Sequence, residues 1–384
     1  MTQLITQNLF KEGYMMHIKA KKQDLLDALS KIQGITEKRN IIEILSHFLL
    51  VVEEGSATIF ATDNETAVRV PLNAEIFEAG KICIPAKTFR EIVKELDNED
   101  IELKLDEKRI NIQSGKSKFK LAVLDASDFP VWLEPTETKT LTLSRDVLLT
   151  AVEKTIYAAG KADARYVLNG LLFHIEKDTI NFVATDGYRL AHVKFSAEAG
   201  IEERLIILSQ RAVSELKKLL SDTDTDAESI SLKIAKNHIL CEIDGIKFLT
   251  RLVEGSYPDY KAVIPVNNDK TAVIDRKSFI NSLKRVSILT REHFNTVILD
   301  FNTNSLVISS SAPELGEAKD ELEIEYQGEP LNIAFNANYL IDALEHAMSD
   351  KVKIAMSDSD KATYITDVES DSFLYECIVM PVRL

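Results

Sequence analysis

The sequence predicts an α+β protein made of three tandem copies of one unit, each with two helices and an antiparallel sheet. Three observations carry this reading. A strand running straight into an amphipathic helix recurs three times, a second strand-helix element follows each one, and β-rich runs fill the intervals.

The first element reads "IKAKKQDLLDAL" (18–29), "LTLSRDVLLTAV" (141–152) and "AVIDRKSFINSL" (272–283). Its helix-face positions, at least three of every four clearly apolar, are Leu25, Leu26, Leu29 and Ile32 in copy one, Leu148, Leu149, Val152 and Thr155 in copy two, and Phe279, Ile280, Leu283 and Val286 in copy three. That is the spacing of one helix face. The second element reads "CIPAKTFREIVKEL" (83–96), "ILSQRAVSELKKLL" (207–220) and "AFNANYLIDALEHA" (334–347). Between the helices lie "FLLVVEEGSATIFATD", "GLLFHIEKDTINFVATD" and "VILDFNTNSLVISSS", each two strand-like runs around a polar turn. Asp63 and Asp186 are 123 residues apart, as are Leu25 and Leu148, so the first two copies keep one register. "DASDFPVW" (125–132) and "EGSYPDYKAV" (254–263) share an aromatic-proline exit, which sets boundaries near residues 135 and 266.

A chain of 384 residues suits two or three domains. With 45% hydrophobic and 28% charged residues it has the balance of a globular protein, not of a disordered one. No apolar run is long enough to span a bilayer, and "MTQLITQNLFKEGYMMHIKA" lacks a signal peptide's pattern, so a cytoplasmic location with no membrane partner is expected. Cys83, Cys241 and Cys377 are far apart and flanked by apolar residues, which predicts buried free thiols. The net charge of −15 argues against nucleic acid only as an average, because basic residues can be segregated onto one surface.

Ala-Thr-Asp ends a strand-like run at Asp63 and again at Asp186. Asp186-Gly187 between two alternating runs is a hairpin signal, and neither aspartate has an evident second titratable group for catalysis. The third copy has only serines near Ser309. No phosphate loop, zinc helix or nucleophile elbow is found, and the acidic stretches "LDNEDIELKLDE" and "SDTDTDAES" lack the calcium-loop pattern. His174 and His192 could approach across strands, and they read better as ordinary residues than as ligands. No catalytic residue, metal or cofactor is expected.

Aligning the copies exposes a recurring basic stripe. Lys31 matches Lys154 and Arg285 in the first helices. In the second helices Lys87 and Lys94 match Arg211 and Lys218, each pair seven apart on one helix face. Copy three departs, with Asn338 and Glu345.

At "RYVLNGLLFHIEKDTINFVATDGYRLA", "LVEGSYPDYKAVIP" and the closing "CIVMPVRL" the sequence resembles the bacterial sliding clamps, the family of DNA polymerase III beta subunits. The likeness runs from about Met15 or Met16 to the end and leaves residues 1–14 as an N-terminal extension before clamp domains at 15–135, 136–265 and 266–384. It implies a non-enzymatic processivity factor: a head-to-tail homodimeric ring that encircles double-stranded DNA without reading sequence and tethers the replicative polymerase, the clamp loader and other clamp-binding proteins. A divergent or duplicated clamp acting as a scaffold in repair or antibiotic resistance is the alternative. The basic helix positions would then face the duplex, joined by Arg39 in "EKRNIIEIL" and by Lys161, Arg165 and Tyr166 in "GKADARYVLNG". Glu43 and Ala162 depart from the family's proline and glutamine there.

The resemblance also implies a hydrophobic partner-peptide pocket at Leu168, Thr185, Gly187, Tyr188, Arg189, Leu190, Pro258, Val263, Tyr339, Ile378, Met380, Pro381, Val382 and Arg383. Tyr188 stands where many relatives have histidine. An end as apolar as "CIVMPVRL" must in any case pack against something, and Met and Pro suit adaptable recognition. For the dimer interface, "SKFKLAV" offers Phe119 and Leu121 with Lys116 and Lys118, and the far end of the chain offers Ile288 and Leu289 with Glu314 and Glu317. Apolar pairs among opposite charges fit a heterologous interface that closes by symmetry.

Overall fold

Six helices each follow a strand without an intervening loop in the computed structural model, which describes residues 16–37, 42–222, 228–290, 295–312, 315–369 and 373–383. They are α1 (Lys22–Thr36), α2 (Ala86–Glu95), α3 (Arg145–Glu153), α4 (Gln210–Leu220), α5 (Arg276–Val286) and α6 (Ala337–His346). The strand-to-helix switch is locally encoded, since the residue before each of α1, α2, α3, α5 and α6 is extended. At α5 and α6 the side chains of Asp275 and Asn336 accept from Ser278 N–H and Asn338 N–H, satisfying N–H groups that have no partner inside the helix.

The periodic apolar positions are the ones that bury. Leu25, Leu29 and Ile32 of α1, Leu148 and Val152 of α3, and Phe279, Leu283 and Val286 of α5 are almost wholly enclosed. Each such side chain is worth roughly 1.5–3 kcal/mol of transfer free energy. Leu26 and Leu149, the second position of each stripe, are only half-buried. Cys83, Cys241 and Cys377 are free and buried.

By contacts the chain divides into two units. The first comprises residues 1–140 and 218–251. It contains a five-stranded antiparallel sheet in the order Ala74–Glu78, His17–Lys21, Asp100–Asp106, Arg109–Ser114, Ser117–Ala122. A second antiparallel run orders Ser229–Ile234, His238–Ile243, Ile246–Arg251, Thr66–Leu72, Ser56–Thr62, His47–Glu53 and Gly80–Pro85. Here α1 packs on α2 and on strands 56–62 and 66–72.

The second unit comprises residues 141–217 and 252–384. Its nine-stranded sheet runs Arg204–Ser209, Gly170–Ile175, Thr179–Thr185, Arg189–Ser196, Phe373–Val379, Thr363–Asp367, Lys351–Met356, Lys270–Asp275, Glu325–Tyr326. A four-stranded sheet orders Gly316–Glu323, Ser305–Ala312, Thr296–Asn302 and Leu331–Asn336, with α5 packed on α6.

Consecutive copies are joined strand to strand by one repeated device. Strand 66–72 of copy one pairs with 246–251, the last strand of copy two, placing Thr66 opposite Thr250 and Arg69 opposite Lys247. Strand 189–196 of copy two pairs with 373–379, the last strand of copy three, placing Arg189 opposite Val379 and His192 opposite Glu376. Thr66 and Arg189 are 123 residues apart, so both junctions begin at the same point of the repeat. The leftover equivalents are Ser117–Ala122, the last strand of copy one, and Gly316–Glu323 of copy three; each lies at the edge of its sheet.

Candidate functional site

Both Ala-Thr-Asp segments fold into the same turn. At Asp63, Oδ1 accepts from the N–H groups of Glu65 and Thr66, Thr62 Oγ1 donates to Thr66 O, and Asn64 takes φ +73°. At Asp186, Oδ1 accepts from Tyr188 N–H (2.9 Å) and Arg189 N–H (3.0 Å), Thr185 Oγ1 donates to Arg189 O (2.6 Å), and Gly187 takes φ +87°. Each aspartate's Oδ1 is therefore engaged by backbone N–H groups, the geometry of a turn.

The second turn differs in what surrounds it. Leu190 pairs with Ile378 across the junction, and the two join Leu168, Leu172, Val183, Ile207, Tyr257 and Tyr260 in one buried apolar cluster. Above this floor Tyr188 is 63% exposed and Met380 41% exposed. The N–H of Met380 donates to Tyr188 O (2.9 Å), and that of Val382 donates to Ala334 O (2.8 Å). These two bonds hold the apolar chain end against the turn and against strand 331–336. Pro258, Val263 and Arg383 are exposed, while Thr185, Tyr339, Pro381 and Val382 are half-buried. A buried floor with exposed apolar rims is the form of a site for short peptides.

Segment 254–264, which carries Pro258 and Val263, is pinned from beneath by a polar network. Tyr260 Oη lies 3.0 Å from His174 Nδ1, and its ring meets His192 edge-on at 5.2 Å. His192 bridges Glu376 (2.6 Å) and Asn181 (2.9 Å), and Tyr364 donates to the other Glu376 oxygen at 2.7 Å. Burial pushes the Glu376 carboxyl up, but the hydrogen bonds from His192 and Tyr364 outweigh it and leave it below the usual range. Lys261 donates to Glu176 (2.7 Å), and this bond, with others from Thr179 and Asn181, draws Glu176 down to about 2. Among the described residues His174, Glu176 and Glu203 bring three possible ligand atoms within 4.8 Å of one another. Lys261 already balances Glu176, and Tyr260 and Glu203 take both nitrogens of His174, so hydrogen bonding accounts for the group without a metal.

Arg189 is the buried charged member of the site, only 9% exposed. Its Nε donates to Asp186 (3.1 Å), Nη1 pairs with Asp342, and Nη2 donates to Tyr157 O (3.0 Å). Asp342 and Tyr157 carried no signal in the sequence, because Asp342 reaches Arg189 from copy three and Tyr157 meets it 32 residues away within copy two.

The basic positions fall into groups. Lys87, Lys94, Lys218, Lys161 and Tyr166 are exposed, and Arg211 is half-buried. Lys31 pairs with Asp222 at 2.9 Å and Arg285 with Asp320 at 2.5 Å. Lys154 is half-buried, and burial pushes its ammonium below the usual value against the charge of Asp367. Arg165 is exposed, held by Asp163 (3.0 Å), and lies over Gly187, where an added Cβ would sit 2.9 Å from its Nη2. The structure thus brings Arg165 to the Asp186 turn. Arg39 lies outside the described residues.

At the two leftover edges, Lys116, Lys118 and Phe119 are exposed and Leu121 half-buried, while Glu317 and Ile288 are exposed and Leu289 half-buried. Glu314 lies outside the described residues.

Comparison with known proteins agrees along the chain. Family profiles described as the N-terminal, central and C-terminal domains of the DNA polymerase III beta subunit match residues 16–133, 142–259 and 261–383. The beta sliding clamp of Vibrio cholerae is 35% identical over 372 residues, covering 96% of this chain and all of that protein. That of Pseudomonas putida is 34% identical over 373 residues, with the same coverage. The crystal structure of the Pseudomonas aeruginosa DNA polymerase III beta subunit superposes with a TM-score of 0.90 at 31% identity, covering 96% of this chain and 100% of that one. A griselimycin-bound sliding clamp from Bartonella birtlesii gives 0.91 at 33% identity, with equal coverage.

Proposed function

Since the chain belongs to the bacterial beta sliding clamps, the DNA polymerase III beta subunits, we propose that its leftover edges close two copies head to tail into a ring around duplex DNA. The observation that carries this is the pair of equivalent strand junctions inside the chain. A third junction of the same kind needs strand 117–122 of one copy and strand 316–323 of another. The first offers Lys118 and Lys120, the second Glu317, Glu321 and Glu323 with one lysine, Lys319, among them, so the edges are complementary in net charge. Pairing them also removes two exposed edges. Each copy then contributes domains bounded near 15–135, 136–265 and 266–384, with residues 1–14 as an extension.

The protein is a DNA sliding clamp. In this reading it is non-catalytic and retains DNA by topology. Lys87, Lys94, Lys161, Tyr166, Arg211 and Lys218 face the duplex, with Lys31, Lys154, Arg285 and Arg39 contributing charge. Phosphate contacts of this kind position without reading bases. The floor of Leu168, Leu190 and Ile378 with its rim of Tyr188, Val263 and Met380 takes short apolar peptide segments of the polymerase, the clamp loader and other replication or repair proteins.

The test is topological. The protein is loaded by a clamp loader with ATP onto nicked circular DNA, which is then cut. Rapid loss on linearisation is expected, and retention on linear DNA would refute the encircling ring.

A further inference from the structure

Helix α6 presents Tyr339, Asp342 and His346 at i, i+3 and i+7, one face of a helix. That face meets two residues of the preceding copy in a layered stack. His346 stacks on Tyr157 at 4.0 Å between centroids, and the Arg189 guanidinium carbon lies 5.4 Å from the Tyr157 ring and 4.7 Å from the Tyr339 ring. The order is His346, Tyr157, Arg189, Tyr339. Tyr157 is itself fixed, its hydroxyl 2.7 Å from that of Tyr375, which donates to Ala343 O of the same helix. Arg189 is thus held through Nε, Nη1 and Nη2 by groups of its own chain.

Two consequences follow for the pocket. The guanidinium supports the Tyr339 ring from behind and is not offered to a ligand carboxylate. Two carboxylates, Asp186 and Asp342, face this one cation beside Tyr339, and the pocket's other cation, Arg383, is exposed to solvent. Arg165, the next cation along, is matched by Asp163. The Tyr339 hydroxyl registers that field: burial, and then the charge of Asp186, raise it above its usual value against the opposing charge of Arg189, with Tyr188 and Asp342 acting in the same direction as Asp186.

We propose that Asp342 is a positioning and specificity-determining residue of the peptide pocket, fixing Arg189 beneath Tyr339 and disfavouring acidic side chains at that wall. Resting on the pocket reading above, it extends the site to a residue that touches no peptide. It selects by repulsion as well as by fit.

The experiment measures, by fluorescence anisotropy on the full chain, binding of fluorescein-labelled Gly-Leu-Ala-Leu-Phe and of its counterpart with glutamate for the second leucine. The wild-type protein is expected to prefer the apolar peptide by about tenfold or more, the scale of one unfavourable charge at an interface. Asp342→Asn should weaken the apolar peptide by about threefold and shrink the preference to about threefold or less, while Asp342→Glu restores both. An unchanged preference in Asp342→Asn, whether or not its melting temperature falls, overturns the proposal, because loss of structure alone weakens both peptides together. Met380→Ala serves as the control: if it leaves the apolar peptide's affinity intact, the pocket itself is misplaced and this proposal goes with it.

Discussion

Asp186 grips Arg189 twice, accepting its backbone N–H through Oδ1 at 3.0 Å and its Nε through Oδ2 at 3.1 Å. The matching Asp63 accepts the backbone N–H of Thr66 at 2.7 Å, but Thr66 has no guanidinium to offer. The two aspartates therefore build the same turn, and the second adds an ionic grip. Asp186→Ala removes the acceptor of two N–H groups and one partner of a buried cation, for which about 3–5 kcal/mol is typical. Denaturant unfolding of the variant checks this, and a loss of about 1 kcal/mol or less would contradict the assigned role of the Arg189 contact.

Gly187 combines two constraints. Its φ of +87° disfavours any side chain, and a Cβ would stand 2.9 Å from Arg165 Nη2. The arginine end can move aside, so the strain falls mainly on the backbone, at about 1 kcal/mol or more. Gly187→Ala should lower the melting temperature by a few degrees, as a change of that size does, and weaken apolar peptide binding by displacing Tyr188. Asn64, with φ +73° in the equivalent turn, sets the comparison: Asn64→Gly should be neutral or slightly stabilising. Calorimetry on the pair decides, and a neutral Gly187→Ala would show that the turn relaxes freely.

Acid should loosen the wall of the pocket before the rest of the second unit. Glu176 is held near 2 in the folded chain, chiefly by Lys261, against 4.5 for a free carboxyl. A depressed folded value means stability that is complete above about pH 4.5 and is lost as pH falls toward 2. Since Lys261 belongs to the segment carrying Pro258 and Val263, protonating Glu176 unpins that segment. Glu176→Gln should lower stability at neutral pH and flatten the decline between pH 4.5 and 2. Melting curves across that range test it, and parallel pH profiles for variant and wild type would rule the pin out.

The helices were legible because their signal is local. A period of 3.6 marks one apolar face, and the residues on it, such as Phe279, Leu283 and Val286, are buried. The Asp63 and Asp186 turns were legible for the same reason, since Asx turns are made by neighbours. What sequence does not carry is which distant strands meet. Nothing in "RLAHVKF" marks that His192 will face Glu376, 184 residues on. Lys31 is a similar case: its match to Lys154 is plain in the register, yet its partner Asp222 sits in the next copy. The saturation of Arg189 was likewise invisible, because Asp342 reaches it only once copies two and three share a sheet, and Tyr157 reaches it from 32 residues away.

The leftover edges make the sharpest test of assembly. Strand 117–122 shows Lys118 and Phe119 to solvent, and strand 316–323 shows Glu317, so the proposed third junction brings opposite charges together at the rim of an apolar contact. Lys118→Glu with Lys120→Glu places like charges along the pairing edge, a change that costs several kcal/mol across an interface by typical estimates. The variant should run as a monomer in sedimentation or size exclusion at micromolar concentration. Glu317→Lys with Glu321→Lys and Glu323→Lys should do the same alone. Because the ring is head to tail, each variant keeps one native edge and one reversed edge. Mixing the two variants therefore pairs reversed with reversed at one junction and native with native at the other, which restores a heterodimer. Recovery of the dimer only in the mixture is the expected result. If both variants stay dimeric by themselves, the copies associate through some other surface.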